Sequence, residues 1–240
     1  MNKFQSKPPV RLQTTTLWEY PSQDYGRQPH GDKDYIGATP AWVIWNLLQR
    51  YTRENDTVMD PMCGSGTTLD VAHELQRKGL GFDLVPRRAD IKQADSRQIP
   101  LAAATVDFVF IDPPYSTHVD YSDDPRCIGK LDANEKSPKP SGQNAYFMAM
   151  KQVFGECVRV LKPRRYMAVY VSDSFKKGRP FMPIGFELFG LLRPLAEPVD
   201  IVAVVRHNNK LGRSHWHSAA IEGNFFLRGF NYLLIFKKTD

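Results

Sequence analysis

Cysteine is scarce in this chain: three residues in 240, Cys63, Cys127 and Cys157, with no C-x-x-C pair among them. That excludes a disulfide framework and a paired-cysteine zinc site, and the odd count reads as free thiols in a reducing compartment. There is no apolar run near twenty residues and the mean hydropathy is −0.43, which excludes a membrane-spanning helix. Residues 1–10 have no apolar stretch of the kind a secretory leader needs, so the expected location is the cytoplasm. No repeat of 20–50 residues is visible, which removes solenoids and propellers. A Walker A loop is missing, and the glycine-rich turn at 64–66 has Leu69 where a G-x-G-x-x-G fingerprint needs its third glycine. Neither a nucleoside triphosphate cradle nor close packing on a pyrophosphate is therefore specified.

What is present is ordinary globular material, 42% hydrophobic and 24% charged, with an excess of basic residues. Thirty-two Lys and Arg against 26 Asp and Glu leave a net charge of +6 and a pI near 9.2, which favours a polyanionic partner. Short β-branched runs alternate with helical periodicity, the pattern of βαβ units around a mostly parallel sheet. Strands are expected over 57–60, 80–84, 91–94, 106–111, 166–171, 199–205 and 232–236, seven in all. Thr39 and Pro40 read as N-cap and first helical residue ahead of Val43, Ile44, Leu47, Leu48 and Tyr51. A second helix follows the 61–66 turn, with Gly79 as its C′ residue. Apolar stripes at Met150–Leu161 and Ile184–Leu195 predict two more. The residues 116–142 are polar and carry three prolines, the composition of a long loop or insertion. One domain over 1–240 accommodates everything.

Two places carry chemistry. A strand closing on Asp60 runs into Pro61, Met62, Cys63, Gly64, Ser65, Gly66 and Thr67, and then a helix. In such a turn the glycines allow close backbone approach and the helix start offers free N–H groups. Asp83 ends the next strand, where a carboxylate suits both hydroxyls of a ribose, and Asp95 and Ser96 end the third, within reach of an adenine amine. The set specifies a nucleoside without requiring a phosphate. The other place is Asp112, Pro113, Pro114 and Tyr115, at the carboxyl end of the fourth strand, the edge where open α/β sheets bind ligands. The prolines remove donors and stiffen the turn, leaving carbonyls and a carboxylate beside an aromatic face. Acceptors of this kind suit an amine on a flat ring, with Tyr115 stacking on the ring.

With these residues in place the sequence resembles the S-adenosylmethionine-dependent amino-group DNA methyltransferases, which act on adenine N6 or cytosine N4. Asp60–Thr68 is similar to the family's cofactor motif, and the helix from Thr39 to the segment bordering the methionine end of the donor. Asp83 and Asp95 match its ribose and adenine contacts, and Asp112–Tyr115 its catalytic motif. The resemblance implies a Rossmann-like seven-stranded sheet, mostly parallel with the 232–236 strand inserted antiparallel, helices on both faces, S-adenosyl-L-methionine as donor and DNA as partner. It implies a target base flipped from the duplex, and an Asp before Pro-Pro-Tyr favours adenine over cytosine. The resemblance also leaves room for a restriction or recognition partner, which the sequence does not name. The cytosine-C5 enzymes use the thiolate of a Pro-Cys dipeptide, which this chain lacks, so Cys63 reads as a packing residue.

Only 45 residues separate Gly66 from Asp112, so target recognition falls to smaller insertions. The candidates are 116–142 and 206–228; in the latter His207, Lys210, Arg213, His215, His217 and Arg228 interleave with Trp216, Phe225 and Phe226. Basic groups hold phosphates while aromatics stack on bases. His215 and His217 lack a further pair of ligands nearby, so no metal is expected. Two other readings compete: an RNA guanine-N2 methyltransferase, and a nucleic-acid-binding protein on a dead methyltransferase fold.

Overall fold

Val106–Ile111 is buried at every position, and a strand with no solvent face needs cover on both sides. The computed structural model, which describes residues 8–119, 121–135, 144–173, 181–207 and 212–240, supplies that cover. Its strands are β1 (Leu17–Trp18), β2 (Thr57–Asp60), β3 (Lys78–Asp83), β4 (Ile91–Gln93), β5 (Val106–Ile111), β6 (Leu161–Val171), β7 (Glu197–Val205) and β8 (Phe230–Lys237). They form one sheet in the order β1-β7-β8-β6-β5-β2-β3-β4. All neighbours run parallel except β8, which is antiparallel to both β6 and β7. The helices are α1 (Ala41–Tyr51), α2 (Thr67–Glu74), α3 (Ala145–Val160), α4 (Ile184–Leu192) and α5 (Ser214–Glu222). One face of the sheet packs on α1 and the middle of α2, the other on α3 and α4.

The doubly wound pattern is as expected, with one strand more than the seven anticipated. Leu17–Trp18 pairs with Ala203 and Val204 at the far edge, and two residues are too few to show a period of two. Three local expectations also change. Gly79 is not a C′ residue: α2 ends earlier, Gln76 takes the left-handed conformation at φ 60°, and Gly79 lies in β3. A Cβ there would sit 2.9 Å from Leu69, so the glycine serves helix–strand packing. Leu161 opens β6 instead of closing the preceding helix. And 206–228 is not all loop, because α5 lies inside it.

Residues 8–40 form a strap across the carboxyl edge of the sheet. Trp18, Tyr20 and Tyr25 are all buried. Trp18 and Tyr20 pack on Trp42 with ring centroids 6.5 and 5.8 Å away, and the Tyr20 hydroxyl donates to the Pro8 carbonyl at 2.6 Å. Trp42, 2% exposed, thereby anchors the strap to α1. Trp42→Ala should destabilise the protein by about 3–5 kcal/mol, the usual range for emptying a large aromatic site, and denaturant unfolding with fluorescence detection will measure it.

Candidate active site

The glycine turn is held from within. One oxygen of buried Asp60 accepts the Met62 N–H at 3.0 Å and the other accepts the Thr68 hydroxyl, so one carboxylate ties both ends of the turn together. Gly64 and Gly66 have φ of 45° and 82°, a region that favours glycine. The space their missing side chains leave is used by the protein itself. The Tyr35 ring lies where a Cβ on Gly64 would come within 2.6 Å of it, and the Arg88 guanidinium covers Gly66. Arg88 is fixed there by Asp70 and Asp90, each at 2.7 Å. The expectation that both glycines open backbone to a ligand is thus corrected for Gly66. The helix start is also covered, since the Asp32 N–H donates to the Ser65 carbonyl at 2.8 Å and Gly31 passes against Thr67 and Ser65.

Two adjoining cavities open on this turn. The larger, about 430 Å³, has Pro61, Asp83, Asp95, Ser96, Asp112 and Pro114 in its wall. The smaller cleft, about 30 Å³, is bordered by Thr39, Asp60, Cys63, Gly64, Ser65 and Thr67, again with Asp112. Twelve of the fifteen expected site residues meet in this one region; Gly66 and Pro113 line neither space, and Tyr115 faces elsewhere. Asp83 accepts the Gly64 and Val85 N–H groups at 2.9 and 3.0 Å, one on each oxygen. The Ser96 hydroxyl donates to the Pro61 carbonyl, so it is not free as a donor. Asp95 receives Arg97 at 2.6 Å, and hydrogen bonding to that guanidinium holds its carboxyl below the ordinary range. Cys63 packs against Gly81, and burial pushes its thiol well up, which suits a packing residue and disfavours a thiolate.

Asp112 stands at the centre. Its two oxygens accept the hydroxyls of Thr39 and, at 2.8 Å, Tyr115. Burial pushes its carboxyl up to about 7 against the pull of these two donors, with the charge of Asp60 adding to the rise. Asp60 is pushed up to about 7 by its own burial. Thr39 is therefore not the N-cap of α1. Pro40 holds that position without a side-chain cap, and the Thr39 hydroxyl reaches across to β5 instead. The Tyr115 hydroxyl, too, has work beyond the ring face that the sequence suggested.

On the far side of the tetrapeptide a third cavity, about 590 Å³, is bordered by Tyr115, Tyr170, Arg206, His207 and Asn231 together with strap residues including Tyr35. Tyr35 thus belongs to all three spaces. With Trp18, Tyr20 and Tyr25, Tyr35 reads from the sequence only as a sign that the N-terminal segment packs; Tyr121, which lines both spaces at the turn, is a lone aromatic in a polar segment, the one signal the sequence offers for it. Of the basic segment 206–228, Arg206 donates to Ser172 at 3.2 Å, His207 lies 3.2 Å from Glu19, and Arg228 sits 5.0 Å from the Phe181 ring. Arg213, His215 and His217 are exposed on or beside α5, as is Phe226; Lys210 lies outside the described residues. No group of three or more His, Cys, Asp or Glu among the described residues is placed to hold a metal ion, and no helix among them is long and apolar enough to cross a membrane.

The glycine turn and Asp-Pro-Pro-Tyr follow neighbouring strands, β2 and β5, of a parallel sheet with β8 inserted antiparallel, the fold of the methyltransferases. The chain belongs to the N6/N4 DNA methylase family, whose model matches residues 3–94 and 106–240. It is 43% identical over 44 residues to the type II methyltransferase M2.LlaDCHI of Lactococcus lactis subsp. cremoris, a match spanning 18% of this chain and 16% of that one. Among solved structures it is similar to TrmN from Thermus thermophilus (TM-score 0.52, 16% identity, 85% of this chain and 50% of that). It is also similar to a SAM-dependent methyltransferase from Methanosarcina mazei (TM-score 0.50, 14% identity, 80% of this chain and 97% of that). These two likenesses concern the fold.

Tyr115→Phe should raise the Asp112 carboxyl further above 7 by removing one of its two donors. An NMR titration of the Asp112 carboxyl carbon follows the shift, and Thr39→Val should move it in the same direction.

Proposed function

We propose that the chain transfers a methyl group from S-adenosyl-L-methionine to an exocyclic amine of a DNA base, adenine N6 in preference to cytosine N4. The observation that carries the reading is the position of Asp112 and Tyr115. Asp112 lines the cavities at the glycine turn, while Tyr115, bonded to it, lines the separate cavity on the other side. A donor on one side and an acceptor base on the other would meet at this carboxylate.

The residues present fit the donor. The 430 Å³ cavity joins the Asp83 and Asp95 carboxylates to an apolar wall that includes Leu84, Val85 and Ile128, the combination a nucleoside needs. Asp83 would hold the ribose, Asp95 and Ser96 would border the adenine, and the cleft at Gly64 would take the methionyl end. That cleft is narrow because Tyr35 lies on Gly64, so the methionyl end fits when Tyr35 lifts away. When bound, the donor supplies an activated methyl group on a sulfonium, which needs no protein nucleophile. The chain's own residues orient and accept. Ionised Asp112 accepts a hydrogen from the target amine, whose lone pair is otherwise delocalised into the base, and this favours a pyramidal nitrogen. The contact strengthens as the amine hydrogens become acidic, so its effect falls on the transition state, and the proton the nitrogen sheds as the N–CH3 bond forms would pass to this carboxylate and on to solvent. Pro113 and Pro114 fix the direction of the carboxylate. Tyr115 contributes a ring for the base and a hydroxyl for Asp112. The basic groups of 206–228, Arg213 among them, suit phosphate contacts, and Phe226 suits stacking. An Asp ahead of Pro-Pro-Tyr is what favours adenine.

The test is incubation with methyl-labelled donor and either unmethylated plasmid DNA or total RNA, followed by digestion to nucleosides; labelled N6-methyldeoxyadenosine is expected. Asp112→Ala should slow single-turnover transfer ~10²–10³-fold, the cost of losing one preorganised partner, with donor affinity nearly unchanged. The rate of the parent should rise with pH up to about 7, because the carboxyl must lose its proton to accept. A bound sulfonium shifts that limb lower, and Asp112→Asn should flatten it. Transfer that persists at the parental rate in Asp112→Ala overturns the role.

A further inference from the structure

The sheet face that carries Asp112 holds a second polar group with no assigned task. On this face β5, β6, β8 and β7 lie side by side, and their inward positions are Phe108 and Phe110, Ala168 and Tyr170, Leu233 and Ile235, Val202 and Val204. The period of two carries each row to the carboxyl edge of the parallel strands. There Asp112 follows Phe110, Asn231 precedes Leu233 and Arg206 follows Val204. Val204 is paired with Asn231 across β7 and β8. Asp112, Tyr170, Asn231 and Arg206 therefore form one row along the edge.

Asn231 is 6% exposed, an unusual place for a carboxamide within an otherwise aromatic and aliphatic strand. Its side chain lies beside Tyr170, and its Oδ1 has no hydrogen-bond partner among the described residues. A buried acceptor left unpaired has lost its water and gained nothing, and native structures rarely tolerate this unless another molecule completes the bond. Asn231 and Tyr170 both border the 590 Å³ cavity that Tyr115 faces, which makes that cavity the space a donor for this oxygen would enter.

We infer that Asn231 is a specificity-determining residue whose carboxamide oxygen accepts a hydrogen bond from the amino-bearing edge of the flipped target base. This rests on the reading that the cavity takes such a base. The chemistry is restrictive: in a DNA adenine or cytosine nucleotide the exocyclic amine is the sole N–H donor. A carboxamide pairs with an adenine edge by taking an N6 hydrogen and offering its own N–H to the adjacent ring nitrogen. With Asp112 accepting the other hydrogen, both amine hydrogens are held. A keto base presents an oxygen at that place and leaves Oδ1 without a hydrogen while the carboxamide keeps this orientation, and a site built to bond a hydrogen rejects a base that lacks it.

The test compares the parent with Asn231→Leu, which keeps the volume and removes the acceptor. Labelling of unmethylated plasmid DNA by the parent first maps the site, and synthetic duplexes are then made with the target base or with its analogue lacking the amine. Asn231→Leu should bind donor within twofold of the parent and lose about 10–100-fold in kcat/KM on the normal duplex. The affinity penalty for removing the amine should be at least fivefold smaller in the variant than in the parent, because the variant has one contact fewer to lose. A purely structural asparagine gives equal penalties in both proteins and overturns the role of Asn231 while leaving the proposed reaction intact. No labelled base with the parent enzyme overturns both. Should Asn231→Leu fail to fold, Asn231→Thr in the same comparison gives the same two outcomes.

Discussion

The half-buried carboxylate of Asp112 is the constraint around which the rest of this structure is arranged. Its oxygens are held by hydroxyls from two unrelated parts of the chain, Thr39 ahead of α1 and Tyr115 in its own turn. A carboxyl withdrawn from water resists ionisation, and here burial outweighs both hydrogen bonds. Asp60, a strand away and fully buried, adds to the resistance. Both groups ionise more readily in an unfolded chain than in the folded one. Their contribution to stability is therefore complete below pH 4 and lost as pH rises towards 7. The fold tolerates this because the sheet around them is covered on both faces and tied at its edges.

That arrangement explains why the three cavities meet where they do. The parallel strands end together, so β2, β3, β4 and β5 deliver Asp60, Asp83, Asp95 and Asp112 to one edge. The strap crosses the same edge and closes it from above. Tyr35 touches every space because it sits where the strap passes over Gly64. The antiparallel β8 enters this edge from the opposite direction and so brings its first inward residue, Asn231, where the parallel strands bring their last.

The features legible in the sequence are those with local causes. A turn that needs positive φ at Gly64 and Gly66 announces itself, and two prolines after a fully apolar strand allow only a turn at Asp112. Asp83 and Asp95 were legible as acidic residues closing short strands, and the alternation of strands and helices carried the sheet. What stayed hidden depends on tertiary contact. Thr39 has the local profile of an N-cap, but the bond to Asp112 wins over helix capping. The strap has no periodicity; its place comes from Trp18 and Tyr20 packing on Trp42 and the Tyr25 hydroxyl donating to Glu74 at 3.0 Å. Helix α5, with the sequence Ser-His-Trp-His-Ser-Ala-Ala-Ile-Glu, has too weak an apolar face to be separated from a loop. Asn231 did leave a trace, one amide inside an apolar strand, but an unpaired oxygen is visible only in three dimensions.

The pairing of β1 with β7 bears on the order in which the molecule assembles. Leu17 and Trp18 are made early, yet their partners Ala203 and Val204 come almost at the other end of the chain. Contacts so distant in sequence form late, because the loop they close is nearly the whole protein. The strap that walls the site, held at one end by this pairing, therefore settles only after the sheet it crosses is complete. The wall of the acidic edge thus hangs on a pairing between the two ends of the chain, and a strap loosened there uncovers that edge to water.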